Sequence, residues 1–123
     1  MLNVHIKSLG SVSIMCLKGR IVVGETTTLC NAVIAQSGVS AVILDLGQVS
    51  TIDAGGLGVM LKLRQETQSR GIDFKLMNIT RPVSRVLEIT RLDSVFEVTS
   101  EAEVLSMRPF RRRASTLELV PCA

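Results

Sequence analysis

The chain has 123 residues, of which 46% are apolar and 20% charged, with no Tyr or Trp and only three Phe. That suits one aliphatic-cored domain and is too short for two ordinary ones. The formal net charge of +3 misleads, because residues 1–107 hold ten Lys/Arg and ten Asp/Glu, and the excess comes from Arg108, Arg111, Arg112 and Arg113 against Glu118. A nucleic-acid-binding face spreads basic residues over the body and usually adds aromatics for stacking, so no nucleic-acid partner is expected. The opening M-L-N-V-H-I-K-S-L-G has no charged region followed by an apolar stretch, and Asp45 interrupts the longest apolar run. Neither a signal peptide nor membrane insertion is therefore expected, and the chain reads as soluble and cytoplasmic.

Residues 3–9 and 11–18 read as two strands joined around Gly10, with Val12, Ile14 and Cys16 alternating with Ser13, Met15 and Leu17. Gly19 and Gly24 bracket a short apolar piece, Arg20 to Val23. A helix is predicted from about Thr26 to Ser37, with Leu29, Ala32, Val33 and Gln36 on one side and Gly38 as its stop. Residues 41–46, A-V-I-L-D-L, are apolar throughout except Asp45, which is how a strand covered on both faces reads. The second helix is predicted from about Gly55 to Arg70, with Leu57, Met60, Leu61 and Arg64 at helical spacing and Gly71 ending it. A strand over Phe74 to Asn78 follows, then a third helix opening near Pro82 with Val83, Val86, Leu87 and Thr90 on one face. A short strand, Val95 to Val98, and a last helix over 101–107 complete the body.

This order predicts an α/β fold: a mixed β-sheet of about five strands, antiparallel at its start and then helix-linked, backed by about four helices. Residues 1–107 form the single domain in this reading, and 108–123 a basic, mobile C-terminal tail.

No catalytic constellation stands out. His5 is the only histidine and has no partners for a nucleophilic or metal-binding set. Cys16, Cys30 and Cys122 are odd in number and far apart, which suggests neither a disulfide framework nor a zinc site. Asp45 closes a strand and Asp53 caps a helix in this reading, so no carboxylate pair is set apart for chemistry, and neither enzyme activity, cofactor nor metal is expected.

The informative stretch is D-A-G-G-L-G at 53–58, at the turn into the second helix. Backbone N–H groups are free at such a junction and the helix dipole is positive there. Asp53 is placed to cap the helix, and the glycines allow another surface to approach the backbone closely. The spacing fits neither G-x-x-x-x-G-K-[ST] nor G-x-G-x-x-G, so a phosphate cradle is weakly supported. A tight turn with the helix packed close to the sheet is the other account, which the glycines alone could explain.

The block D-L-x-x-V-x-x-I-D-x-x-G-L-G at 45–58 and the later P-V-x-R-V-L-x-I-T-x-L-D at 82–93 resemble a STAS domain, within it the bacterial anti-sigma factor antagonists. The likeness spans roughly residues 3–107. In that family the motif usually reads D-S-S-G-L-G, and its second serine is phosphorylated by a partner anti-sigma factor with serine kinase activity. Here the first serine matches Ala54 and the phosphoacceptor matches Gly55, so both hydroxyls are missing, while Asp53, Gly56, Leu57 and Gly58 match. The resemblance implies a partner-binding surface over Ser50, Thr51, Asp53, Ala54, Gly55, Gly56, Leu57 and Gly58, with a phosphoacceptor-equivalent position, Gly55, that cannot be phosphorylated. It implies as partner an anti-sigma factor of the serine kinase type.

Two other functions stay open: an accessory STAS subunit of a transporter or signalling scaffold, and a small-ligand or nucleotide sensor using the helix start. Ser50 and Thr51 are substitute acceptors only if they do more than turn and capping chemistry, and Ser115 in R-R-R-A-S carries little weight. Whether the chain forms a homodimer is not legible.

Overall fold

The computed structural model describes residues 2–100 and Ala102. The elements run β1 (Asn3–Leu9), β2 (Val12–Ile21), α1 (Thr27–Ile34), β3 (Ala41–Ile52), α2 (Ala54–Ser69), β4 (Asp73–Met77), α3 (Arg81–Ile89) and β5 (Glu97–Thr99). They build one five-stranded sheet in the order β1-β2-β3-β4-β5. β1 is antiparallel to β2 and every later pairing is parallel, which is the mixed α/β sheet the pattern predicts. The described residues hold three helices; the expected fourth, over 101–107, lies outside them except for Ala102, as does the tail from 108.

Local chemistry sets the ends of these elements. Gly10, at φ +67, gives the β1–β2 hairpin the left-handed position that a two-residue loop requires. α2 ends in paired bonds, Ile72 N–H to Thr67 O at 2.8 Å and Gly71 N–H to Gln68 O at 3.0 Å, with Gly71 left-handed. α3 ends the same way, through Leu92 N–H to Leu87 O at 2.8 Å and Arg91 N–H to Glu88 O at 3.1 Å. There the left-handed residue is Arg91, at φ +60, where glycine is usual.

Both faces of the central strands are buried. One face carries Met15, Leu17, Val42, Leu44, Leu46, Phe74 and Leu76 and packs against Leu29 and Val33 of α1, Leu57, Met60 and Leu63 of α2, and Val83 and Leu87 of α3. The other carries Leu9, Val12, Ile14, Cys16, Ala41, Ile43 and Met77, a cluster to which no residue of the three helices belongs. Residues 41–46 are buried without a break, as a strand covered on both sides requires.

Several expectations are corrected. β3 does not stop at Leu46 but runs to Ile52, so Asp45 sits inside the strand rather than closing it. Beyond Gly47, β3 leaves β4 behind and pairs only with the end of β2, through register shifts between Cys16 and Lys18 and between Gly19 and Arg20. The buried face of α2 runs through Gly56, Leu57, Met60, Leu63 and Thr67, with Leu61 half-buried and packed at the edge of the core and Arg64 half-buried beside it. Thr67 is tolerated there because its hydroxyl donates to Leu63 O at 2.9 Å and Arg64 O at 3.0 Å. Cys16 is disulfide-bonded, against the reading of the cysteines, while Cys30 is a free thiol; spacing alone does not reveal such pairings.

Candidate functional site

The extended β3 delivers the D-A-G-G-L-G stretch next to the end of β2 instead of to an isolated loop. Asp53 N–H donates to Ile21 O at 3.2 Å, which continues the β2–β3 pairing by one residue into the helix cap. Asp53 is extended, at φ −110 and ψ −178, as an N-cap residue should be. Its two carboxylate oxygens do different work. Oδ1 accepts from Gly56 N–H at 2.7 Å, closing the first turn of α2. Oδ2 accepts from Val23 N–H at 3.2 Å, which fastens the chain after β2 to the same cap.

Those amide donors, Gly56 first and then Val23, hold the Asp53 carboxyl below the ordinary carboxylate range. The segment that carries Val23 is a tight turn, closed by Glu25 N–H to Val22 O at 3.1 Å, with Gly24 at φ +87 in its left-handed position. Arg20 and Glu25 brace it with an ion pair of 2.8 Å.

Three glycines in four positions now have three different explanations. At Gly56 a Cβ would lie 1.9 Å from Ile21 O and 2.7 Å from its carbonyl carbon, so α2 packs on the β2 backbone where no side chain fits. At Gly55 a Cβ would meet Val23 Cβ at 2.8 Å and Cγ2 at 3.0 Å, so the obstacle is the turn rather than the sheet. At Gly58 nothing lies within 4 Å, and the glycine leaves bare helix backbone on the exposed side.

The eight residues expected at the surface therefore divide. Ala54 and Gly58 are exposed, and Asp53 and Gly55 half-buried, around the helix start. Gly56 and Leu57 are buried and act as packing residues beneath it. Ser50 and Thr51 lie on β3 itself, the first exposed and the second half-buried, and Ser50 Oγ donates to Gly19 O at 3.3 Å. That bond ties β3 to the bulged part of β2.

Val23 was missed: it is 72% exposed and is pinned to the cap of a helix thirty residues on. The only sequence signal was Gly24 between apolar Val23 and acidic Glu25, which marks a turn but not its destination.

The helix start is poorly suited to an anion. The Asp53 carboxylate already takes the Gly56 amide, and Leu57 N–H is taken by Asp53 O at 2.9 Å. Two surface pockets, of about 290 and 490 Å³, are lined by residues from Arg64 to Glu97 and from Ile79 to Glu88, away from the helix start. Among the described residues no group of three or more His, Cys, Asp or Glu could hold a metal ion. None of the described helices is long and apolar enough to cross a membrane.

Comparison with known structures agrees with the architecture. A protein from Thermotoga maritima assigned as an anti-sigma factor antagonist superposes with a TM-score of 0.75 at 23% identity, covering 85% of this chain and 93% of that one. An anti-sigma factor antagonist from Mycobacterium paratuberculosis gives 0.73 at 19% identity, with 88% and 94% covered. A sulfate transporter family protein from Wolinella succinogenes gives 0.66 at 18% identity, with 83% and 88% covered. At these identities the likeness establishes a shared fold. Residues 5–104 also match the STAS domain family, from within β1 to beyond β5, so the chain belongs to the STAS domain family.

Proposed function

We propose that this chain is a non-enzymatic regulatory binding protein that engages an anti-sigma factor of the serine kinase type, in the manner of an anti-sigma factor antagonist. The surface used is the start of α2, around Asp53, Ala54, Gly55 and Gly58, together with the turn at Val22–Glu25. The observation that carries this reading is the small-residue helix start held rigidly by Asp53, with bonds of 2.7 and 3.2 Å to two separate segments. A preorganised backbone surface loses little entropy when a partner docks. Gly55 offers no hydroxyl, so binding at this surface is not switched by phosphorylation of that position.

The test is Gly55→Asp, with the unfolding midpoint and the dissociation constant for the anti-sigma kinase measured on one preparation. Gly55 is not left-handed, so its backbone accepts an L-residue. The Val23 turn must give way to the new Cβ, at a cost of about 2 kcal/mol. An unpaired carboxylate desolvated in the interface costs several kcal/mol, which weakens binding at least ~100-fold. Unchanged affinity would place the partner surface elsewhere.

A second reading is favoured by the likeness to the transporter-family protein: an accessory STAS subunit of a transporter, for which a phosphorylatable serine is dispensable. Co-purification with a transport ATPase or permease subunit, in place of a kinase, establishes it.

A further inference from the structure

Val23 combines three properties. It is apolar, it is 72% exposed, and it is held rigidly, by its own N–H to Asp53 Oδ2 at 3.2 Å and by the turn bond from Glu25 N–H to Val22 O at 3.1 Å. Its side chain also takes up the space beside Gly55, since any Cβ at 55 would meet Val23 Cβ at 2.8 Å. We propose that Val23 supplies the side chain that the helix start lacks at Gly55, and that it is a specificity-determining contact of the partner-binding surface.

The proposal rests on the reading of that surface as a protein-binding site. A valine has one side-chain torsion and is stiff at it, so docking a partner against Val23 freezes little. The turn and the helix thus form one composite patch in which the turn provides the apolar contact and α2 provides bare backbone. It also follows that position 55 is closed twice, by the absence of a side chain and by its occupied space. Restoring a side chain there requires removing Val23.

Two measurements test this. The first needs no partner: a thermal-unfolding cycle of Gly55→Ala, Val23→Gly and the double variant. Alanine normally stabilises a helix relative to glycine, so Gly55→Ala should raise the midpoint if its space were free. We expect it to lower the midpoint by about 4–8 °C in the natural sequence and to raise it in the Val23→Gly background. Additive effects would overturn the proposal.

The second measures binding of the purified anti-sigma kinase to Val23→Ala. Loss of two methyl groups from a desolvated contact should weaken binding about tenfold with little change in the unfolding midpoint. Binding by the natural chain that Val23→Ala leaves untouched would remove this proposal while leaving the proposed function standing. No binding by the natural chain would remove both.

Discussion

Gly56 and Gly58 are two residues apart on one helix, yet adding a single methyl group to each should move stability in opposite directions. At Gly56 the new Cβ would stand 1.9 Å from Ile21 O, 2.7 Å from the carbonyl carbon and 3.0 Å from Ile21 Cγ2. An unstrained carbon–oxygen contact is about 3.3 Å, so α2 and the end of β2 would have to separate by more than an ångström. The atoms in the way are backbone. Ile21 is fully buried, pairs with Ile52 and accepts the Asp53 N–H, so the separation strains that bond and loosens Leu57 and Met60 behind it.

Overpacking of flexible side chains costs about 1–3 kcal/mol, and this backbone clash should reach about 3–4 kcal/mol. At Gly58 the methyl group meets nothing within 4 Å and the residue is helical, so Gly58→Ala should gain about 0.5–1 kcal/mol from helix propensity alone. For a domain of this size that is a fall of roughly 15 °C against a rise of about 4 °C in unfolding midpoint. Thermal and urea denaturation followed by circular dichroism measure both. A Gly56→Ala midpoint close to that of the natural chain would refute the close packing of α2 on β2, and with it the explanation of the glycine-rich helix start.

Other outcomes follow from the same site. Asp53 has a carboxyl group held below its ordinary range by the amides of Gly56 and Val23. Its stabilising contribution should therefore be complete above its unfolded-state titration near pH 4 and fade as the pH falls through the lower folded value. Asp53→Asn, compared with the natural chain between pH 2 and 7, should show a stability deficit at neutral pH that narrows on acidification; a pH-independent deficit would exclude that origin.

Incubation with an anti-sigma kinase, ATP and Mg²⁺ should leave the peptide spanning 53–58 free of phosphate, since it contains no hydroxyl group. Stoichiometric phosphate on Ser50 or Thr51 by mass spectrometry would show instead that the control point has moved onto β3. Arg91→Gly should raise stability by about 0.5–1 kcal/mol, because it removes a left-handed non-glycine residue at the end of α3; an unchanged denaturation midpoint would mean the Arg91 conformation is not strained.

What the sequence determined by itself was local. Alternation over 12–17, the apolar run at 41–46 and the helical spacing around Val83 and Leu87 gave the order and type of the elements. Asp53 before a glycine-rich helix start announced a cap, and Gly71 announced an end, because each choice depends on the conformation of a few neighbouring residues. The motif spacing also pointed to the STAS family before any contact was known.

The tertiary structure alone decided the rest, where segments distant in sequence meet. Residues 47–52, G-Q-V-S-T-I, lie beyond the unbroken apolar run of 41–46, and they become strand because the bulged end of β2 supplies their pairing partners. Leu63 and Thr67 are fully buried while Leu61 only packs at the core's edge, because the sheet fixes the rotation of α2, and helical spacing leaves that rotation open. Gly55, Gly56 and Gly58 are the same residue in the sequence, but Val23, the Ile21 carbonyl and empty space stand opposite them. That difference arises from the approach of residues 21–23 to 53–58, a distance no local pattern encodes.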